Sequence, residues 1–227
     1  MKTTIAIVTS CVAAAALAAG CSATHEADTT DATDAGSARE LADLAGAGIH
    51  FDYTPLDSAA DAVGQADLIV SGTVVDVTEG IRLDNPAAAA AGRSADAYPT
   101  FVIAVDEVLA GAPEQVTDGK VYVSVQTNIA HGPDELAVLN PQAEIVAVLD
   151  DITTWRPQPD TTVTRPSAIP SQAGLYAPYR DGLWLQGAAD DDMLGIDVAH
   201  SDLAPGWGAV HDLTDFSAAI KQAVASD

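Results

Sequence analysis

The sequence predicts a mainly β, α+β domain: a small antiparallel barrel preceded by a short helix and closed by a C-terminal helix. Three observations lead there. Successive stretches rich in β-branched residues alternate apolar and polar side chains with the period of two that a half-buried strand requires. A glycine, Gly72, stands in the middle of the first of them, and the best amphipathic helical pattern comes at the end of the chain.

The first strand, expected over residues 67–78, holds Ile69, Val70, Thr73, Val74, Val75 and Val77, and Gly72 marks the bulge or bend that a small barrel needs for closure. Over 101–109, Phe101, Ile103 and Val105 share one face, and Val121, Val123 and Val125 lie opposite Tyr122, Ser124 and Gln126. Residues 145–149 are a nearly continuous apolar run. Residues 182–187 and 194–198 supply two further short strands, the latter alternating Leu194, Ile196 and Val198. Three helices are expected. One over 38–45 sets Leu41 and Leu44 three apart and ends at Gly46 and Gly48; one from 57 or 58 to 65 opens on Ser58 with Asp61 three later, an N-cap pattern. The last, over 214–224, carries Phe216, Ala219, Ile220 and Ala223 on one stripe and seals one side of the barrel. Asp118-Gly119, Asn140-Pro141 and Asp181-Gly182 carry turn chemistry. Two connections are long: 81–97, where Ala87 to Ala91 follow Asn85-Pro86, and 151–174, whose Pro157, Pro159, Pro166 and Pro170 exclude a central strand or helix.

The domain is preceded by a targeting segment. Lys2 is a positive n-region, residues 5–17 are apolar but too short for an ordinary membrane span, and small residues follow. Residues 22 to about 38 are a Thr, Asp and Ala mixture without apolar period, and read as a flexible tether reaching about 25 Å. The chain therefore divides into a signal segment over 1–20, a tether over 21–45 and one domain over 50–227. Its two cysteines are Cys11, inside the apolar segment, and Cys21, so no disulfide framework supports the domain.

Leu17-Ala18-Ala19-Gly20-Cys21-Ser22 resembles the lipobox of bacterial lipoproteins, with Ala18 at the place that more often carries Leu. The resemblance implies cleavage before Cys21 and a diacylglyceryl, palmitate-type anchor on it. The protein would then sit on the extracytoplasmic face of the cell membrane, with the bilayer as partner through Cys21. An ordinary secretory signal cut at an Ala-x-Ala-like site is the other reading of the same residues. Lys2 is the one charged side chain before Cys21, so the mature chain would carry a net charge of −25.

Composition excludes other classes. The 227 residues include 9 Lys and Arg against 33 Asp and Glu, a net charge of −24, yet 48% are hydrophobic and only 19% charged, so the acidity sits on a foldable chain. Nine scattered cations cannot neutralise a phosphate backbone against 33 carboxylates, which rules out nucleic-acid binding.

The run Ala66-Asp67-Leu68-Ile69-Val70-Ser71-Gly72-Thr73-Val74, then Val105-Asp106-Glu107-Val108-Leu109-Ala110-Gly111 and a strand after Gly119, resembles a broad group of exported bacterial OB-like barrels. Most of that group has no assigned activity. Its Pro-Gly-Glu turn before the fourth strand is replaced here by Asn140-Pro141-Gln142-Ala143-Glu144, and the resemblance spans about 85 residues. It implies an OB-like barrel and confers no function by itself.

Candidate site residues fall into three groups. Asp190, Asp192 and Asp197, with Asp191 and Asp202 near them, offer hard oxygen ligands to Ca²⁺, but Leu194 at the fifth place and Ser201 at the twelfth fail the EF-hand pattern, and a solvated acidic turn accounts for the same residues. Asp150-Asp151 reads likewise. Of the histidines, His25, His50, His131, His200 and His211, none forms a metal-binding pair in sequence, although His200 and His211 with Asp197 or Asp212 provide acid–base groups. Trp155, Arg156, Tyr176, Tyr179 and Trp207 gather in one stretch beside Arg165 and Arg180, as rigid rings with planar cations suited to a sugar, peptide or protein contact; for Trp184, between Leu183 and Leu185, core packing is the stronger reading.

The mature chain holds no Gly-x-Ser-x-Gly elbow, phosphate loop or catalytic cysteine. The sequence accordingly predicts no cofactor and no enzyme, but a membrane-anchored binding or interaction module for an envelope protein or glycan, with the long loops as rims. A divalent-cation binder or sensor is the alternative and an envelope hydrolase the third reading.

Overall fold

The computed structural model describes residues 30–47, 52–92, 96–127, 132–139, 142–155, 160–188 and 190–226. In chain order its elements are α1 (Thr30–Gly46), α2 (Ala59–Gln65), β1 (Leu68–Thr78), β2 (Arg82–Asp84), α3 (Pro86–Ala90), β3 (Asp96–Ala97), β4 (Thr100–Ala110), β5 (Lys120–Ser124), α4 (Pro133–Ala137), β6 (Glu144–Asp151), β7 (Thr162–Thr164), β8 (Tyr176–Gln186), β9 (Leu194–Gly195) and α5 (Leu213–Val224).

Five strands close into a ring. The sheet runs β5-β4-β1-β6-β8-β9, and β5 also meets β8 through a parallel pairing of Val123 with Tyr176. The other ring pairings are antiparallel, which is the OB-like arrangement with its third and fifth ring strands side by side. The ladder of β1 with β4 shifts register between Ser71 and Gly72, so the central glycine does mark the bend. Asp118 and Gly119 both take positive φ, 51° and 73°, as a tight hairpin turn demands.

Alternation along the strands builds two cores back to back. Val70, Val74, Ile103, Val123, Ile145, Ala147, Leu149 and Leu185 fill the ring, together with Leu136 of α4 and Ala38, Leu41, Ala42 and Ala45 of α1. Ile69, Val146, Val148 and Trp184 point outward and are covered by α2, α5 and the segment holding Trp207. Helix α5 thus seals one outer side of the ring, capped by Asp212, whose carboxylate accepts from the Asp215 N–H at 2.7 Å.

Two expectations shift and one further helix appears. The helix expected over 38–45 starts at Thr30, and buried Ala38, Leu41, Ala42 and Ala45 recur at helical spacing, so the packed body reaches back into residues read as tether. Asp181-Gly182 is not a chain reversal: β8 begins at Tyr176, and between Leu149↔Pro178 and Ala147↔Leu183 the residues 179–182 stand opposite Val148 alone, so the turn chemistry loops the strand out. Helix α4, with Pro133 at its start, was below the length at which periodicity is visible.

The two long loops fold onto each other. The first contributes β2 and β3 and the second β7, forming a small sheet in the order β3-β2-β7 outside the ring. Beneath it Ile81, Leu83, Ile169 and Leu175 bury Val102 and Tyr122 of the ring's outer face. Arg165 ties the second loop down by donating to the carbonyls of Pro170, Ser171 and Ala173 at 3.1, 3.3 and 2.9 Å.

Candidate functional site

Where the feet of both loops meet the open end of the β5–β8 pairing, a cleft of about 370 Å³ opens. Ile81 and Tyr98 come from the two ends of the first loop's excursion, Ile152 and Trp155 from the start of the second, Ser124 from the end of β5 and Gln126 from just beyond it, Asp150 from β6, and Ala177, Pro178 and Arg180 from β8. Trp155 is 41% exposed and also borders an adjoining hollow of about 230 Å³ beside Val163 and Arg165. Its backbone N–H donates to the Ile152 carbonyl at 3.0 Å, which fixes the turn carrying the indole. The position is the loop-rimmed face that OB-like barrels use for ligands.

The looped-out part of β8 supplies the charge in the cleft. Arg180 donates to Asp197 Oδ2 at 3.2 Å and to Gln126 Oε1 at 2.9 Å, so the guanidinium is held between the segments that follow β5 and β9. The Asp197 side chain is only 9% exposed and its Oδ1 has no hydrogen-bond partner among the described residues; burial raises its pKa while Arg180 pulls it down. Asp150 lies close to Asp67, and burial, the hydrogen bond with Asp67 and the charges of Asp67 and Asp151 together raise its pKa. Asp67 itself anchors the β6 end by accepting from the Asp151 N–H at 2.8 Å.

The sequence-predicted contact residues do not converge. Tyr176 is a core residue whose hydroxyl donates to the Gln115 carbonyl at 3.2 Å. Tyr179 is partly buried and donates to the Gln65 carbonyl at 2.9 Å. Trp207 is buried, stacked on Phe216 at 4.3 Å, with its indole N–H on the Leu56 carbonyl at 2.7 Å. Only Trp155 reaches the cleft; Arg156 lies outside the described residues, as do Cys21, His25, His50 and His131. Clustering in sequence was misleading because successive strand residues face opposite sides. The residues that join Trp155 were legible as a pattern, since Ser124 and Gln126 are the polar alternates of β5, but nothing in one sequence places Tyr98 beside them.

The acidic candidates are held by other tasks. Asp190 accepts from Arg39 at 3.0 Å and from the Gly187 N–H at 3.2 Å, Asp192 is exposed, and Asp197 pairs with Arg180. Among the described residues no three His, Cys, Asp or Glu side chains are grouped to hold a metal ion. The His200 and His211 rings are 5.9 Å apart, with His200 Nε2 2.8 Å from the Val210 carbonyl and its ring edge-on to Trp184. A larger hollow of about 490 Å³ between α2 and α5 is lined by Ala, Gly and Ser with Val63, Trp207 and Gln222 and offers no charged group.

Three carboxyls with raised pKa values, two of them buried, set a pH dependence. Asp181, 3% exposed with Oδ1 unpartnered, has its pKa raised chiefly by burial, against the Leu56 N–H that donates to Oδ2 at 2.8 Å. With Asp150 and Asp197 also raised, the folded chain binds protons before the unfolded chain does, so stability rises as pH falls through those values and levels off near the ordinary carboxylate value of about 3.9. Asp61, lowered by its Gln65 and Asp57 hydrogen bonds, acts oppositely. Melting scans should give a higher Tm at about pH 5 than at about pH 8, and Asp181→Asn should shrink the difference; a rise with pH would contradict the assignment.

Among the described residues no helix is long and apolar enough to cross a membrane. Compared with protein-family models, curated proteins and solved structures, the chain matches none.

Proposed function

We propose that this protein is a lipid-anchored lipoprotein of the cell envelope, held on the extracytoplasmic face through Cys21, whose OB-like domain is a non-catalytic binding module for another envelope component. The observation that carries the reading is Trp155, a large aromatic left 41% exposed at the rim of a concave cleft between the two long loops. The resemblance of residues 17–22 to a lipobox supports the anchor, and the absence of a nucleophile or phosphate-loop motif from the sequence after Cys21 supports binding over catalysis.

Crosslinking in intact cells tests it. The wild-type chain should yield a recurring adduct, protein or glycan, that Trp155→Ala reduces about tenfold while leaving Tm nearly unchanged, because the indole is not part of a core. An adduct pattern unaffected by Trp155→Ala would remove the cleft from the proposal.

A further inference from the structure

The geometry points to a neutral saccharide of one or two rings as the ligand of this cleft, with an apolar sugar face laid on Trp155 and hydroxyls read by Ser124, Gln126, Asp150 and Arg180. The inference rests on the proposed reading of the cleft as a binding site and specifies its chemistry.

Charge decides first. An anion entering the cleft meets Asp150 and the field of a chain carrying −24, while Arg180, the one guanidinium among the described lining residues, is already paired with Asp197. Charge therefore disfavours anions, while the donors of Arg180 and of the Gln126 NH₂, which a cation cannot use, favour a neutral ligand with acceptors over a cation. The polar groups are mixed donors and acceptors: Ser124 does both, Gln126 takes Arg180 on Oε1 and presents an NH₂, and Asp150 accepts. Hydroxyl groups, which both donate and accept, match that mixture better than a ligand of donors or acceptors alone.

Shape decides next. Ile81, Ile152 and Pro178 give apolar walls next to the indole, so the ligand must carry an apolar face as well as hydroxyls. A sugar ring has both. The volume of about 370 Å³ is at the small-molecule end of binding sites, about 300–1,000 Å³. An extended peptide would add to a long free strand edge, but the Val123↔Tyr176 bridge draws β5 and β8 together beside Ser124 and Ala177, so only short edges face the cleft there.

The test titrates the full-length chain, in a detergent without sugar headgroups, with maltose, cellobiose and N,N′-diacetylchitobiose by calorimetry. At least one should bind saturably and blue-shift the tryptophan emission, since Trp184 and Trp207 are buried and Trp155 is not. Trp155→Ala and Gln126→Ala should each raise Kd about tenfold, with Trp155→Phe restoring part of it. No binding by any of the three overturns the saccharide. If the crosslinked adduct of intact cells is then a protein still lost in Trp155→Ala, the cleft stands as a protein-binding site and only the ligand class falls. If neither readout depends on Trp155, both fall together.

Discussion

Trp184→Ala should destabilise the domain by about 3–5 kcal/mol in denaturant titrations, with Tm lower by about 10 °C, the largest loss among the single truncations considered. The side chain is fully buried on the outward face of β8, at the centre of the core that α5 and α2 cover. Its ring lies 6.3 Å from Phe216 and from His200, and its indole N–H donates to the Asp181 carbonyl at 2.7 Å. Alanine leaves a cavity that three separate elements would have to collapse into. Trp184→Phe keeps most of the apolar contact but strands the Asp181 carbonyl, and should cost about 1–3 kcal/mol. Set beside Trp155→Ala, expected to be nearly neutral in stability, the pair separates an indole buried in the fold from one exposed at the rim of the cleft. A loss below about 1 kcal/mol for Trp184→Ala would mean that α5 is not docked on this face.

The contrast between those two tryptophans also shows how far the sequence could be read. Period-two alternation placed Phe101, Ile103, Val121 and Val123 correctly, because a strand with one face buried must carry that pattern, and the continuous apolar run over 145–149 marked a strand buried on both faces. Alternation placed Trp184 in the core for the same reason. The α1 helix was read short, since its buried face is built from alanines, whose apolar signal is weak. The strand β8 was read as starting at Gly182 because Asp181-Gly182 is turn chemistry, and only the pairing with β6 reveals that the same residues serve to loop a strand out. The site was half legible: loops that would form its rims were visible as long segments with Pro and Ala runs, but that β2 of one pairs with β7 of the other is a long-range contact, and so is the approach of Tyr98 to Gln126 and Arg180. The expected aromatic cluster failed since Tyr176, Tyr179 and Trp207 each spend their polar atom on a backbone carbonyl of a different neighbour.

Gly80→Ala should remove ligand capture and destabilise the domain at once. A Cβ at Gly80 would lie 1.4 Å from the Tyr98 carbonyl oxygen and 2.8 Å from Thr100 Oγ1, so the neck of the first loop cannot close around a side chain. That neck is tied by the Tyr98 N–H donating to the Ile81 carbonyl at 3.0 Å, and Ile81 and Tyr98 are themselves walls of the cleft. Forcing the two strands of the neck apart breaks the hydrogen bond and moves both walls, at a cost of about 3 kcal/mol or more from overpacking backbone against backbone. Crosslinked adduct and saccharide affinity should fall by about tenfold or more, as for Trp155→Ala, but here with a lowered Tm. Gly119→Ala is the matched control. Its φ of +73° makes alanine strained, with nothing within 4 Å of the new Cβ, and it sits in the β4–β5 hairpin among none of the residues that line the cleft. It should cost about 1 kcal/mol and leave capture intact. Loss of capture in Gly119→Ala would tie binding to global stability, whereas loss confined to Gly80→Ala ties it to the neck that holds Ile81 and Tyr98 against Trp155.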